Sequence, residues 1–147
     1  MKNKILKKIN SKSAKIGIIG LGYVGLPLAI SFSMSGYQVL GFDNDKDKVK
    51  KLNNGKSYFS HFKDSTISNI RRKNFSAFTD LKKINEVDII IICLPTPLGK
   101  MKEPDLSYIT NTLDKIYLHL KKGQAMIFES TSYPGTCEEV ILPYIEK

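Results

Sequence analysis

The chain has 147 residues, 41% hydrophobic and 25% charged, an ordinary balance for one compact domain able to bury a core. No apolar stretch approaches the roughly 20 residues that cross a bilayer, which sets aside a membrane-spanning reading. The formal charge of +9 raises a nucleic-acid reading. However, Arg71 and Arg72 are the two arginines among 23 basic residues, and lysines scattered from Lys2 to Lys147 describe a solvated surface better than a base-reading one.

The first stretch, residues 1–14, is basic, with Ile5, Leu6 and Ile9 as its aliphatic content. That is too little for a secretory core, and no small-residue cleavage site follows. A solvated extension of about one helical turn is expected, on a cytoplasmic protein. "KIGIIG" (15–20) is β-branched and glycine-bounded, hence a buried strand. Residues 24–35 read as a helix, with Pro27 tolerated in its first turn and Gly36 as its stop. "YQVLGFD" (37–43) is the second strand, and 45–55 a short helix ended by Asn54 and Gly55.

Residues 57–64 read as a loop, 65–73 as a helix and "FSAFT" (75–79) as a third strand. "VDIIIICL" (87–94) is the near-continuous apolar run that a strand covered on both faces requires. A loop with Pro95, Pro97, Gly99 and Pro104 follows. Next, Leu106, Ile109, Leu113, Ile116 and Leu120 fall on one helical face. "QAMIFE" (124–129) is a further strand, and Pro134 is expected to open a last helix that reaches the C-terminus. The alternation predicts a single α/β domain over 15–147, a Rossmann-like, doubly wound parallel sheet with ligands at the carboxyl ends of its strands.

"GLGYVG" (20–25) matches G-x-G-x-x-G, a weak pattern alone, strengthened here by the strand running into it and the helix starting within it. Gly20 would permit the tight turn, Gly22 the approach of backbone to a pyrophosphate, and Gly25 close packing of helix on strand. Unpaired amides and the helix dipole favour the anion. An acid is then needed at the end of the next strand. Asp43, 18 residues after Gly25, fits; its carboxylate can accept both ribose hydroxyls and would repel a 2′-phosphate, favouring NAD over NADP. Lys48 lies near that adenosine end. The competing reading makes Asp43 the cap of helix 45–53, a job open equally to Asp45. The two later strand ends also carry polar groups. Thr96, held extended between Pro95 and Pro97, can offer a hydroxyl to a cofactor ribose or simply belong to a rigid turn. Glu129, Ser130 and Thr131 stand at the expected mouth; Thr131 suits a water, a nicotinamide ribose or the cap of the Pro134 helix. His61, among Tyr58, Phe59 and Phe62, reads as a packing residue. Cys93 and Cys137 show no metal-ligand spacing and no disulfide framework, and nothing in the sequence supplies Cys137 with a base or an electropositive pocket.

Together "GIIGLGYVGLPLA", "GFD", "ICLPTPLGKMKEPDLSYI" and "ESTSYPGTCEEVILP" resemble the UDP-glucose/GDP-mannose dehydrogenase family from about Lys15 onward, most of all the branch that oxidises UDP-N-acetylhexosamines. The resemblance implies an NAD-binding domain of a cytoplasmic enzyme taking the C6 alcohol of a UDP-sugar to a carboxylate with two NAD, for surface polysaccharide synthesis. It carries the cofactor turn onto Gly20, Leu21, Gly22, Tyr23, Val24 and Gly25, and the ribose acid onto Asp43 with Lys48 beside it. It carries the cofactor-crossing segment onto Cys93, Leu94, Pro95 and Thr96, and the closing pair onto Ser130 and Thr131, where the threonine also positions a catalytic water. It further implies a homo-oligomeric full-length enzyme whose nucleophilic cysteine, central helix and sugar-binding domain lie downstream, so that these residues alone would bind NAD and turn nothing over. Other NAD-dependent dehydrogenases of the 3-hydroxyacid type and a non-catalytic NAD-binding module are the rival readings.

Overall fold

A computed structural model describes residues 2–99 and 104–146. The middle of the proline loop, 100–103, and the last residue that the C-terminal helix was expected to reach lie outside them. Five strands, β1 (Lys15–Ile19), β2 (Gln38–Phe42), β3 (Phe75–Phe78), β4 (Ile89–Ile92) and β5 (Ala125–Phe128), form one parallel sheet in the order β3-β2-β1-β4-β5. The chain leaves β1 toward β2 and β3, then returns to place β4 on the other side of β1. That reversal of direction opens a crevice at the carboxyl ends of β1 and β4.

The isoleucine run explains the layering. Successive strand residues point to opposite faces, so Ile89 and Ile91 join one apolar cluster while Ile90 and Ile92 join the other. The first cluster is covered by α2 (Gly25–Met34), α3 (Lys46–Asn53) and α4 (Asp64–Lys73), through Leu26, Ala29, Ile30, Val49, Leu52, Ile67 and Ile70. The second is covered by α5 (Ser107–Ile116), whose Ile109, Leu113 and Ile116 are fully buried, and by a 3₁₀ segment at Leu81–Glu86 that carries Ile84. Residues 81–86 gave no helical signal because six residues of tight turn carry no helical period.

Two expectations are corrected. The N-terminal stretch is not a single solvated turn but a nine-residue helix, α1 (Lys2–Asn10). Its Ile5 and Ile9 rest on the first cluster, and the Tyr37 hydroxyl donates to the Ile9 carbonyl at 3.1 Å. Lys8 also pairs with Asp88, just before β4. Three aliphatic residues in nine are enough for an edge of contact, though none becomes fully buried. The last helix does not open at Pro134. Pro134 and Gly135 form a turn, with Gly135 at φ +94°, and helical structure starts at Thr136. It is wide-turned over Cys137–Ile141 before α6 (Leu142–Ile145). Pro143 accounts for the widening, since it has no amide for the Glu139 carbonyl and its ring crowds that carbonyl.

Candidate functional site

Each strand end is hooked to its neighbour by one backbone bond. Gly20 donates to Phe42, Asp43 to Phe78, Cys93 to Ile19 and Glu129 to Ile92, at 2.8–3.1 Å. This staircase brings the four segments singled out from sequence to one edge of the sheet. They line a cavity of about 700 Å³ there, a volume typical of small-molecule and cofactor sites.

The glycine turn forms the floor. Gly20 has φ +90°, and a Cβ there would stand 2.5 Å from the Cys93 carbonyl oxygen. At Gly25 a Cβ would stand 1.8 Å from the Gly20 carbonyl oxygen, so the helix start and the strand end share space that only hydrogen can fill. Gly22 differs: nothing lies within 4 Å of its missing Cβ, and it faces the cavity. Among the described residues, the amides of Gly22, Tyr23 and Val24 have no hydrogen-bond partner. They are orphan donors at the start of a ten-residue helix, which with the helix dipole makes an anion cradle.

Asp43 sits at the end of β2 with its side chain only 8% exposed. One carboxylate oxygen accepts from the Leu21 amide and the other from the Asp45 amide, both at 3.0 Å. Each oxygen keeps a second lone pair, so the group can still take hydroxyl donors from the cavity it lines. Helix α3 is capped by Asp45, which accepts from the Asp47 and Lys48 amides at 2.9 and 3.1 Å. The capping alternative for Asp43 therefore falls away. The Lys48 ammonium stands 4.0 Å from Asp43 and 5.6 Å above the Tyr58 ring.

Across the crevice, Cys93, Leu94, Pro95 and Thr96 line the opposite wall, with Glu129, Ser130 and Thr131 beside them. Burial, then the charge of Glu129, pushes the Cys93 thiol up to about 11. It is a neutral, packed sulfur there and a poor nucleophile at neutral pH. Thr131 caps nothing. Nor does Thr136, at the helix start: its hydroxyl turns back to the preceding turn, donating to the Tyr133 carbonyl at 2.7 Å and accepting the Tyr133 amide at 3.3 Å, so the helix begins with no side-chain cap.

Of the residues assigned from sequence, Leu21 and Gly25 do not line the cavity; both are buried and shape the turn from beneath. Cavity-lining Thr79, Leu81, Tyr108, Thr112 and Lys115 were missed. Thr79 had a signal, since it directly follows β3 at the ligand end of the sheet. Tyr108, Thr112 and Lys115 share the polar side of α5, at the i, i+4, i+7 spacing, and a polar helix face looks like any solvated one. His61 stacks on Phe59 at 5.3 Å and lies 4.4 Å from the Phe62 ring, outside the cavity lining, as a packing residue.

Comparison with known proteins agrees with this geometry. The family described as "UDP-glucose/GDP-mannose dehydrogenase family, NAD binding domain" matches residues 14–147. The UDP-N-acetyl-D-glucosamine 6-dehydrogenase of Salmonella typhi is 39% identical over 134 residues, covering 90% of this chain and 31% of that protein. Protein CapL of Staphylococcus aureus is 35% identical over 132 residues, covering 90% of this chain and 30% of that protein. Among solved structures, a ternary complex of GDP-mannose dehydrogenase from Pseudomonas aeruginosa superposes with a TM-score of 0.83 at 33% identity, covering 89% of this chain and 31% of that one. The chain thus spans about a third of the length of the curated relatives it matches. With a five-stranded parallel sheet, a glycine turn at its switch point and a match over residues 14–147, this chain belongs to the UDP-glucose/GDP-mannose dehydrogenase family, as its NAD-binding domain.

Proposed function

We propose that NAD lies across this crevice and that the chain serves a UDP-N-acetylhexosamine 6-dehydrogenase, the enzyme that takes a C6 alcohol to a carboxylate in cytoplasmic, homo-oligomeric form for surface polysaccharide synthesis. The pyrophosphate rests on the amides of Gly22, Tyr23 and Val24. Gly20, Leu21 and Gly25 set the path of that turn. Asp43 accepts the adenosine ribose hydroxyls, with Lys48 at its side. Cys93, Leu94, Pro95 and Thr96 flank the cofactor as it crosses the sheet, and Ser130 and Thr131 stand at the nicotinamide end. Thr131 also holds the water used in the second oxidation. When bound, NAD supplies a hydride acceptor; this chain's own residues bind it, orient it and wall off solvent. Residues 15–147 form this unit, and the basic α1 helix braces it.

Three unpartnered amides facing a cavity, with an engaged carboxylate at its rim, carry this reading. The carboxylate also sets cofactor choice. Of the two arginines neither lines the cavity, so a 2′-phosphate would meet Asp43 with Lys48 as its nearest counter-charge. Calorimetry should give NAD at least a tenfold advantage over NADP, about 1.4 kcal/mol, and Asp43→Ala should abolish most of the NAD signal. Equal affinity for both cofactors, or an undiminished signal in the variant, contradicts the ribose assignment. Similarity of the curated relatives, which include UDP-N-acetyl-D-glucosamine and UDP-N-acetyl-D-mannosamine dehydrogenases, supports the sugar class.

A further inference from the structure

The loop between α3 and α4 has no part in the site as described, yet it touches the glycine turn at its most constrained point. The Tyr58 hydroxyl donates to the carbonyl of Leu21, 37 residues away. On its other side, Leu21 donates its amide to Asp43 at 3.0 Å. Leu21 is wholly buried, so both of its peptide groups are held from outside the turn. A trans peptide is planar, and its N–H points opposite to its C=O. Directing the Leu21 carbonyl at Tyr58 therefore directs the Gly22 amide away from Tyr58, and that amide has no partner among the described residues.

We propose that Tyr58 is a positioning residue for NAD, its hydroxyl locking the Leu21–Gly22 peptide so that the Gly22 amide is presented to the pyrophosphate before the ligand arrives. This rests on the cofactor reading above. The surroundings keep the hydroxyl a donor: burial, and then the charges of Asp43 and Asp45, raise its ionisation well above the ordinary tyrosine range. They also fix the ring. Lys48 lies over it at 5.6 Å, and Phe59 packs against it at 4.8 Å while holding Tyr23, on the turn itself, at 4.8 Å. Glycine at 22 leaves the peptide free to rotate once the hydroxyl is gone, and the ligand must then order it.

The test uses Tyr58→Phe, which removes one oxygen and keeps the ring, with NAD, ADP-ribose and adenosine as probes. NAD and ADP-ribose, which carry the diphosphate, should each bind about five- to tenfold more weakly. Adenosine, followed by chemical-shift titration, should bind within twofold of wild type, and the thermal midpoint should fall by no more than the roughly 2–6 °C that one lost buried hydrogen bond costs. Undiminished NAD affinity overturns the proposal, as does an equal loss for adenosine, which would mean general loosening of the site. A variant that no longer melts cooperatively makes the hydroxyl a folding requirement and overturns it too. Failure of the unaltered chain to bind NAD is a separate result, which sinks the site reading and this inference with it.

Discussion

At the scale of single residues, Gly25 and Cys93 carry the sharpest consequences. The Cβ of an alanine at 25 would stand 1.8 Å from a backbone oxygen, which cannot swing aside as a side chain would. Gly25→Ala should therefore cost more than about 3 kcal/mol, at the severe end of single substitutions; a urea melt within 1 kcal/mol of wild type, as an order-of-magnitude bound, would contradict this packing. Cys93, with its thiol raised to about 11, should label far more slowly with a maleimide at pH 7 than the exposed Cys137. NAD should slow Cys93 further, since it lines the cavity. Mass spectrometry of the labelled peptides decides both points. The glycines and Asp43 were legible from sequence because each is a residue type that a particular backbone or ligand geometry demands at a known spacing. Tyr58 was not, because its partner lies 37 residues away and no spacing rule links a loop hydroxyl to a carbonyl.

At the scale of elements, α1 is held by its ion pair as well as by Ile5 and Ile9. Burial pushes the Asp88 carboxyl up, but the Lys8 hydrogen bond, the Lys15 amide at 3.0 Å and the charges of both lysines together bring it below its ordinary value of 3.8. A carboxylate lowered in the folded state stabilises above its unfolded value and loses that contribution as pH falls through its folded one. Asp88→Asn should cost about 1 kcal/mol at pH 7, in the range of a half-exposed pair with one added backbone bond. The gap from wild type should narrow below about pH 4. A constant gap from pH 7 to pH 2 by thermal denaturation would contradict the linkage. The central strands and α2 were readable because their hydrophobic periods are unambiguous. The docking of α1 was not, since it depends on Asp88 and Tyr37, residues that only the fold brings near. Nor was the start of the last helix, since a proline may stand in a turn before a helix as readily as in its first turn.

For the whole molecule, the alternation of strands and helices and the two-faced isoleucine run of β4 made the doubly wound sheet legible, while the walls supplied by α5 became visible only once the sheet had placed them. The central claim is that orphan amides at the head of α2 grip a diphosphate, and it can be read atom by atom. In ¹⁵N-labelled protein titrated with NAD, the amide resonances of Gly22, Tyr23 and Val24 should move farthest, and ADP-ribose should move them alike. If those three stay still while NAD shifts resonances elsewhere, the cofactor lies in another place and the account of this site is wrong.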